Sequence, residues 1–141
     1  MSYSQKSYNL YPHGKNLLQT PARVGGVKKG DYFSIKLLVD TGASFTILPV
    51  QILKDLGYDI KHPIREENIV TGKGTIKAPV VQVSWLNCLG QTIKNFEVIA
   101  YNLPPNLRVD GVLGMDFLRN FRAVILLEKA GTYQKDEIIL R

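Results

Sequence analysis

The sequence predicts an all-β domain with two short helices. Three observations carry this: a strand pair around a polar turn near the start, a second pair around a glycine-rich tip in the middle, and an alternating apolar segment in the second half. Residues 24–27 and 32–39 are the first pair, joined by Lys28-Lys29-Gly30-Asp31. Residues 45–48 resume as a strand. Pro49 then suits a helix start, Leu53 and Leu56 share a face, and Gly57 ends a helix of about two turns. Ile69-Val70 and residues 76–83 flank Thr71-Gly72-Lys73-Gly74-Thr75, a hairpin with a mobile tip. Residues 92–100 alternate as a strand with a buried face, and Leu103-Pro104-Pro105-Asn106 breaks it. An apolar strand over 109–113, a helix over 115–120 and a strand over 123–127 follow; Lys129-Ala130-Gly131 reads as a turn and Ile138-Ile139-Leu140 as a last strand.

Composition bounds what such a domain can be. A chain of 141 residues, 45% hydrophobic and 21% charged, buries roughly 68–70% of its unfolded surface and forms one core without staples. Cys88 is alone, so an internal disulfide is excluded, in keeping with a reducing compartment. There is neither a secretory apolar region nor a run near the roughly 20 residues needed to span a bilayer, so the expected location is cytoplasmic, away from membranes. The net charge of +6 is uneven. Residues 1–30 hold Lys6, Lys15, Arg23, Lys28 and Lys29 with no acid, whereas the remainder carries thirteen basic and twelve acidic groups. Residues 1–22 therefore read as a basic, flexible arm, and residues 23–141 as the folded domain. Short charged termini are usually solvated, so nucleic acid is not the expected partner.

The most informative stretch is Asp40-Thr41-Gly42-Ala43-Ser44, which puts one carboxylate in a tight turn directly after an apolar run. Backbone N–H groups around Gly42 can donate to it. Hydrolysing a peptide by acid–base chemistry needs a second group, since one must take a proton while another gives or holds one. Asp110-Gly111 and Asp116-Phe117 lack the Thr-Gly that would hold a carboxylate the same way; they suit a turn and a helix start. A two-lobed enzyme on one chain is thus excluded. A symmetric dimer would bring Asp40 of each copy together on the two-fold axis.

At these residues the chain resembles the retropepsin-like aspartic proteases, single-domain homodimers with one lobe per chain. Leu38-Val39-Asp40-Thr41-Gly42-Ala43-Ser44, Thr71-Gly72-Lys73-Gly74-Thr75 and Asp110-Gly111-Val112-Leu113-Gly114-Met115-Asp116-Phe117-Leu118 carry the resemblance in order, over residues 24–127. It implies a closed acid-protease β-barrel, a polypeptide substrate, and no metal or organic cofactor. Asp40, Thr41 and Gly42 are the implied catalytic residues: the two Asp40 carboxylates activate water, Thr41 bonds across the two-fold axis, and the Gly42 N–H orients the acid. The central hairpin becomes a flap that closes over substrate, so Thr71, Gly72, Lys73 and Gly74, with Ala43 and Val112, are the implied substrate-binding residues. Ile47, Ile69 and Ile76 join Val112 as candidate pocket walls. The apolar Ala43 leaves the paired acids without a possible hydroxyl donor, so activity should extend towards neutral pH. Asn9-Leu10-Tyr11-Pro12 is similar to bonds that retroviral proteases cut when releasing themselves, and stands beside the plainer reading of a stiffened tail. The termini differ from the smallest members, where interleaved ends build the dimer sheet; here the C-terminal extension would replace it.

Other chemistries fit poorly. His13, His62 and Cys88 make neither a zinc pattern nor a recognisable thiol triad. A phosphate loop needs Ser or Thr after Lys73 and Gly at position 67, where the chain has Gly74 and Glu67. The rival reading of a different class is a catalytically silent peptide-binding or assembly module on the same fold.

Overall fold

The computed structural model describes residues 5–127 and 136–141. Among them, β1 (Lys6–Asn9), β2 (Tyr11–His13), β3 (Leu17–Gly25) and β4 (Tyr32–Val39) precede the Asp40 turn. After it come β5 (Ile47–Leu48), α1 (Val50–Asp55), β6 (Arg65–Thr71), β7 (Gly74–Cys88) and β8 (Gln91–Ala100). A single 3₁₀ turn (Pro105–Leu107), β9 (Gly111–Leu113), α2 (Met115–Asn120), β10 (Val124–Leu126) and β11 (Glu137–Leu140) complete the order.

The strands close on themselves. The large sheet runs β2-β3-β4-β9-β5-β8-β7-β6, and β3 also pairs with β7, which joins six of these strands into a barrel with β2 and β6 extending from it. Alternation explains why β3 can do this: Thr20, Ala22 and Val24 are buried while Pro21 and Arg23 point out. β7 is long enough, at 15 residues, to serve two ends of the molecule. Its first half pairs with β6 from Gly74 to Val80, and its second half carries Leu86 and Cys88 to β3.

One core fills the barrel, with Val24, Leu37, Leu86, Leu113 and Phe117 fully buried; each such side chain contributes about 1.5–3 kcal/mol by leaving water. A smaller cluster, Ala78, Val80 and Ile99 with Phe45, Ile47, Ile69 and Tyr101, sits under the β6–β7 hairpin. No helix of the described residues is long and apolar enough to cross a membrane.

Several elements fall where the sequence places them. The strand over 32–39 and the helix over 115–120 coincide with β4 and α2. The hairpin is tighter than a five-residue tip, because Thr71 pairs with Gly74 and only Gly72 and Lys73 form the turn. The last strand is present as β11, while the turn expected at Lys129-Ala130-Gly131 lies outside the described residues.

From Lys6 onward the chain is paired in strands, where the sequence reads as a flexible arm over residues 1–22. β1 pairs with β11, which also pairs with β10, making a separate three-stranded sheet within one chain. β2 pairs with β3, and the boundary between residues 22 and 23 falls inside β3. Backbone pairing orders this polar segment. Leu10 anchors it, 1% exposed and donating its N–H to the Asp136 carbonyl at 2.9 Å. Tyr11 and Pro12 lie in β2 opposite Gln19 and Leu18, so cleavage between them would first require that strand to leave the sheet. Pro12 is tolerated there because β2 is an edge strand.

Candidate active site

β4 delivers Asp40, and β9 fixes where it lands. The two strands run parallel, with Leu38 opposite Val112 and Val39 opposite Leu113, and the Asp40 N–H donates to the Leu113 carbonyl at 3.1 Å. The chain then turns tightly: Ala43 N–H donates to the Asp40 carbonyl at 3.2 Å, and Gly42 N–H donates to Asp40 Oδ1 at 2.8 Å. The carboxylate is half-buried, with Thr41 and Gly42 exposed beside it.

The turn is fastened from behind by the start of α2. Met115 N–H donates to the Ala43 carbonyl at 2.8 Å and Asp116 N–H to the Ser44 carbonyl at 3.2 Å. A Cβ on Gly114 would lie 2.6 Å from the backbone of Phe45, so only glycine allows this approach. Thr46, fully buried, is the centre of the fastening. Its N–H donates to Asp116 Oδ2 at 2.9 Å and its hydroxyl to Asp116 Oδ1 at 2.8 Å, while Gly114 N–H donates to Thr46 Oγ1 at 3.2 Å. Burial pushes the Asp116 carboxyl above its ordinary value, against the opposing pull of the Thr46 and Phe117 donors.

A cleft of about 490 Å³ opens above this turn. Asp40, Gly42 and Ala43 form its floor; Thr71 and Gly72 hang over it from the hairpin; Val112, Ile47 and Ile69 line the side. Thr41 instead borders a neighbouring hollow with Met115, Ile125 and Arg141. Lys73, Gly74 and Ile76 do not line the cleft. At the tip, Thr71 Oγ1 donates to the Gly74 carbonyl at 2.9 Å and accepts from Lys73 N–H at 3.2 Å. Nearer the hairpin base, Arg65 donates to Glu67 at 2.8 Å and Glu97 at 2.6 Å, and those carboxylates hold its guanidinium above its usual value.

The opposite wall is the part sequence reasoning missed. Leu103 and Pro104, read only as part of a strand break, line the cleft together with the flanking Tyr101 and Leu107. His13 contacts the Leu107 carbonyl through Nε2, tying β2 to this wall. Thr46 was missed as well; its one signal is a hydroxyl inside the apolar stretch Phe45-Thr46-Ile47-Leu48.

The remaining candidates have structural positions. Asp110 bridges to β4, accepting the Lys36 N–H at 2.7 Å and donating its own N–H to the Lys36 carbonyl at 2.9 Å. His62 is engaged with Asp59 at 2.7 Å on the surface, and the paired His62 holds the Asp59 carboxyl below its usual value. Cys88 is buried, and burial pushes its thiol up to about 12, so it is a poor nucleophile at neutral pH.

Comparison with known proteins agrees with this architecture. The model of a family described as aspartyl protease matches residues 20–117, well over half of the chain. No curated protein sequence matches it. Among solved structures, the crystal structure of a retropepsin-like aspartic protease from Rickettsia conorii superposes with a TM-score of 0.67 at 24% identity, covering 97% of this chain and 91% of that one. The retropepsin-like fold is therefore shared over most of both chains, and the family match over residues 20–117 makes this chain a member of the aspartyl protease family.

Proposed function

We propose that this chain is an aspartic endopeptidase, active as a homodimer in which the two Asp40 side chains meet on the two-fold axis. The observation that carries the reading is the Asp40 carboxylate, oriented by the Gly42 N–H at 2.8 Å on the floor of a 490 Å³ cleft under a hairpin. In the dimer, two carboxylates a few ångströms apart would share one proton, as is general for aspartic proteases. The ionised member takes a proton from water as it attacks the scissile carbonyl. The protonated member donates to the carbonyl oxygen, and a proton then passes to the leaving amine, so no acyl-enzyme forms.

Thr41 would bond across the axis, a reading supported by its exposure beside the acid, and the hairpin tip would act as a flap, supported by Thr71 and Gly72 lining the cleft. Lys73 and Gly74 shape its turn and contact substrate only on closure. An extended polypeptide fits because the hairpin offers backbone groups along its length. The second copy would meet the face bearing Thr41 and the open edge of β10, which among the described residues has a strand neighbour on one side only. Leu126 and Leu127, 46% and 72% exposed, lie at that edge. The lone buried thiol accords with a cytoplasmic setting.

The test is cleavage of a diverse peptide library from acid to neutral pH, beside Asp40→Asn, with the mass of each enzyme in solution measured in parallel. Cuts absent from the variant, continuing towards neutral pH as Ala43 predicts, are the expected result. A dimer that makes no cuts at any pH would replace the protease by the silent peptide-binding module.

A further inference from the structure

The outer face of the barrel carries a second groove that shares no residue with the cleft. Register builds it: Trp85 pairs with Lys94, Asn87 with Thr92 and with Arg23, and Arg23 with Ser34, so these side chains stand together across β8, β7, β3 and β4. Trp85 occupies the space a side chain at position 25 would take, since a Cβ on Gly25 would collide with the indole. The indole thus lies flat on the sheet. Tyr32 is 6.3 Å from it at a 42° tilt, and the Arg23 guanidinium stands 5.5 Å from the Tyr32 ring.

Two hollows join here. One, of about 430 Å³, is lined by Arg23, Trp85, Asn87, Thr92 and Lys94. The other, of about 600 Å³, shares Arg23 and Asn87 and runs on to Tyr8 and Tyr11. The groove therefore has aromatic rings at both ends, a guanidinium in the middle and amide and hydroxyl groups between. Among the described residues, no carboxylate lines either part.

We propose that this face binds single-stranded nucleic acid. Stacking rings spaced along a basic groove are what an unpaired strand needs: bases lie on aromatic faces, and phosphates meet Arg and Lys. A neutral sugar would use the rings and accept hydrogen bonds from Arg23 and Lys94 without the charge attraction, whereas a polyanion uses both. Arg23, one of the five basic groups of the first 30 residues, and Lys94 from β8 supply the positive charge of the groove.

Trp85 is the single tryptophan of the chain, so its fluorescence reports on this face alone. The full protein is titrated with oligouridylate and with oligothymidylate. Saturable quenching by either is expected, with affinity falling about sevenfold between about 50 and about 200 mM salt, the loss for two neutralised phosphates on a single strand. Lys94→Ala, an exposed position, should halve that salt slope, and Arg23→Lys should weaken binding while keeping the charge. Asp40→Asn should bind as the wild type does, which separates this face from the proposed protease site. Tighter binding of the uridylate would assign the ligand as RNA, and equal binding as unpaired strands of either kind. Absence of quenching, a salt slope unmoved in Lys94→Ala, or equal displacement by polyglutamate of matching charge would each overturn the proposal.

Discussion

The Asp40 turn and the hairpin tip face each other across one cleft and are held in opposite ways. The turn donates a hydrogen bond to β9, accepts two from α2 and is braced by the Thr46–Asp116 pair, all distant in sequence. The tip is held by Thr71, Lys73 and Gly74 bonding among themselves, and Val70 beside it is 87% exposed. The proposed chemistry at the carboxylate would tolerate little positional error, which suits an acid fixed by the core. In the proposed protease the tip would have to open for a polymer, and local contacts cost little to break.

The sharpest way to break the fixed side is Gly114→Ala. The added methyl would meet the Phe45 backbone at 2.6 Å and the Ala43 carbonyl at 3.0 Å, and neither can swing aside as a flexible side chain could. A loss of about 3 kcal/mol or more is expected, with peptide cleavage abolished. Chemical denaturation and the peptide assay measure the two effects.

Thr46→Val tests the same side more gently. It keeps shape and removes the hydroxyl, so Asp116 loses one donor and the Gly114 N–H its acceptor. The expected cost is about 1.5–3 kcal/mol at neutral pH, as for a hydrogen bond to a charged group. The pH dependence has a definite sign. Burial already raises the Asp116 carboxyl, so the folded state holds its proton to higher pH than the unfolded state does; stability is highest below the unfolded value and declines as pH rises through the folded one. Removing a donor that favours the ionised form enlarges that decline. Denaturation across the acid-to-neutral range should therefore show the variant closer to wild type in acid than at pH 7.

The same contrast explains what could be read from the sequence. β4 and α2 were legible because an alternating apolar run and a glycine-bounded helix are local patterns. Asp40, Gly42 and Ala43 reach the cleft floor because one tight turn specifies them. The segment from Lys6 to His13 was not legible as structure: its side chains are mostly polar and exposed, and its order comes from backbone pairing with β11 and β3. Tyr101, Leu103 and Leu107 were opaque for a similar reason, since a Pro-Pro break announces a bend but not the cavity it bends around. Thr46 and Asp116 are 70 residues apart, and no local pattern links them.

The smallest expected effect lies on the free side. Gly74 sits at φ +109°, a conformation an L side chain rarely adopts, yet a Cβ there would meet nothing within 4 Å. Gly74→Ala therefore strains only the backbone, by about 1–3 kcal/mol locally. Because an exposed tip can open without unfolding the barrel, global unfolding should register less than about 1 kcal/mol of this. Turnover should register more, through a lower kcat/KM, if closure of the tip is part of the cycle. Gly72→Ala is the control, with open space around it and no left-handed backbone, and it should leave both measurements near wild type. A Gly74→Ala enzyme with unchanged kcat/KM but a large loss of global stability would invert the comparison, making the tip part of the rigid frame and leaving the opening of the cleft to some other segment.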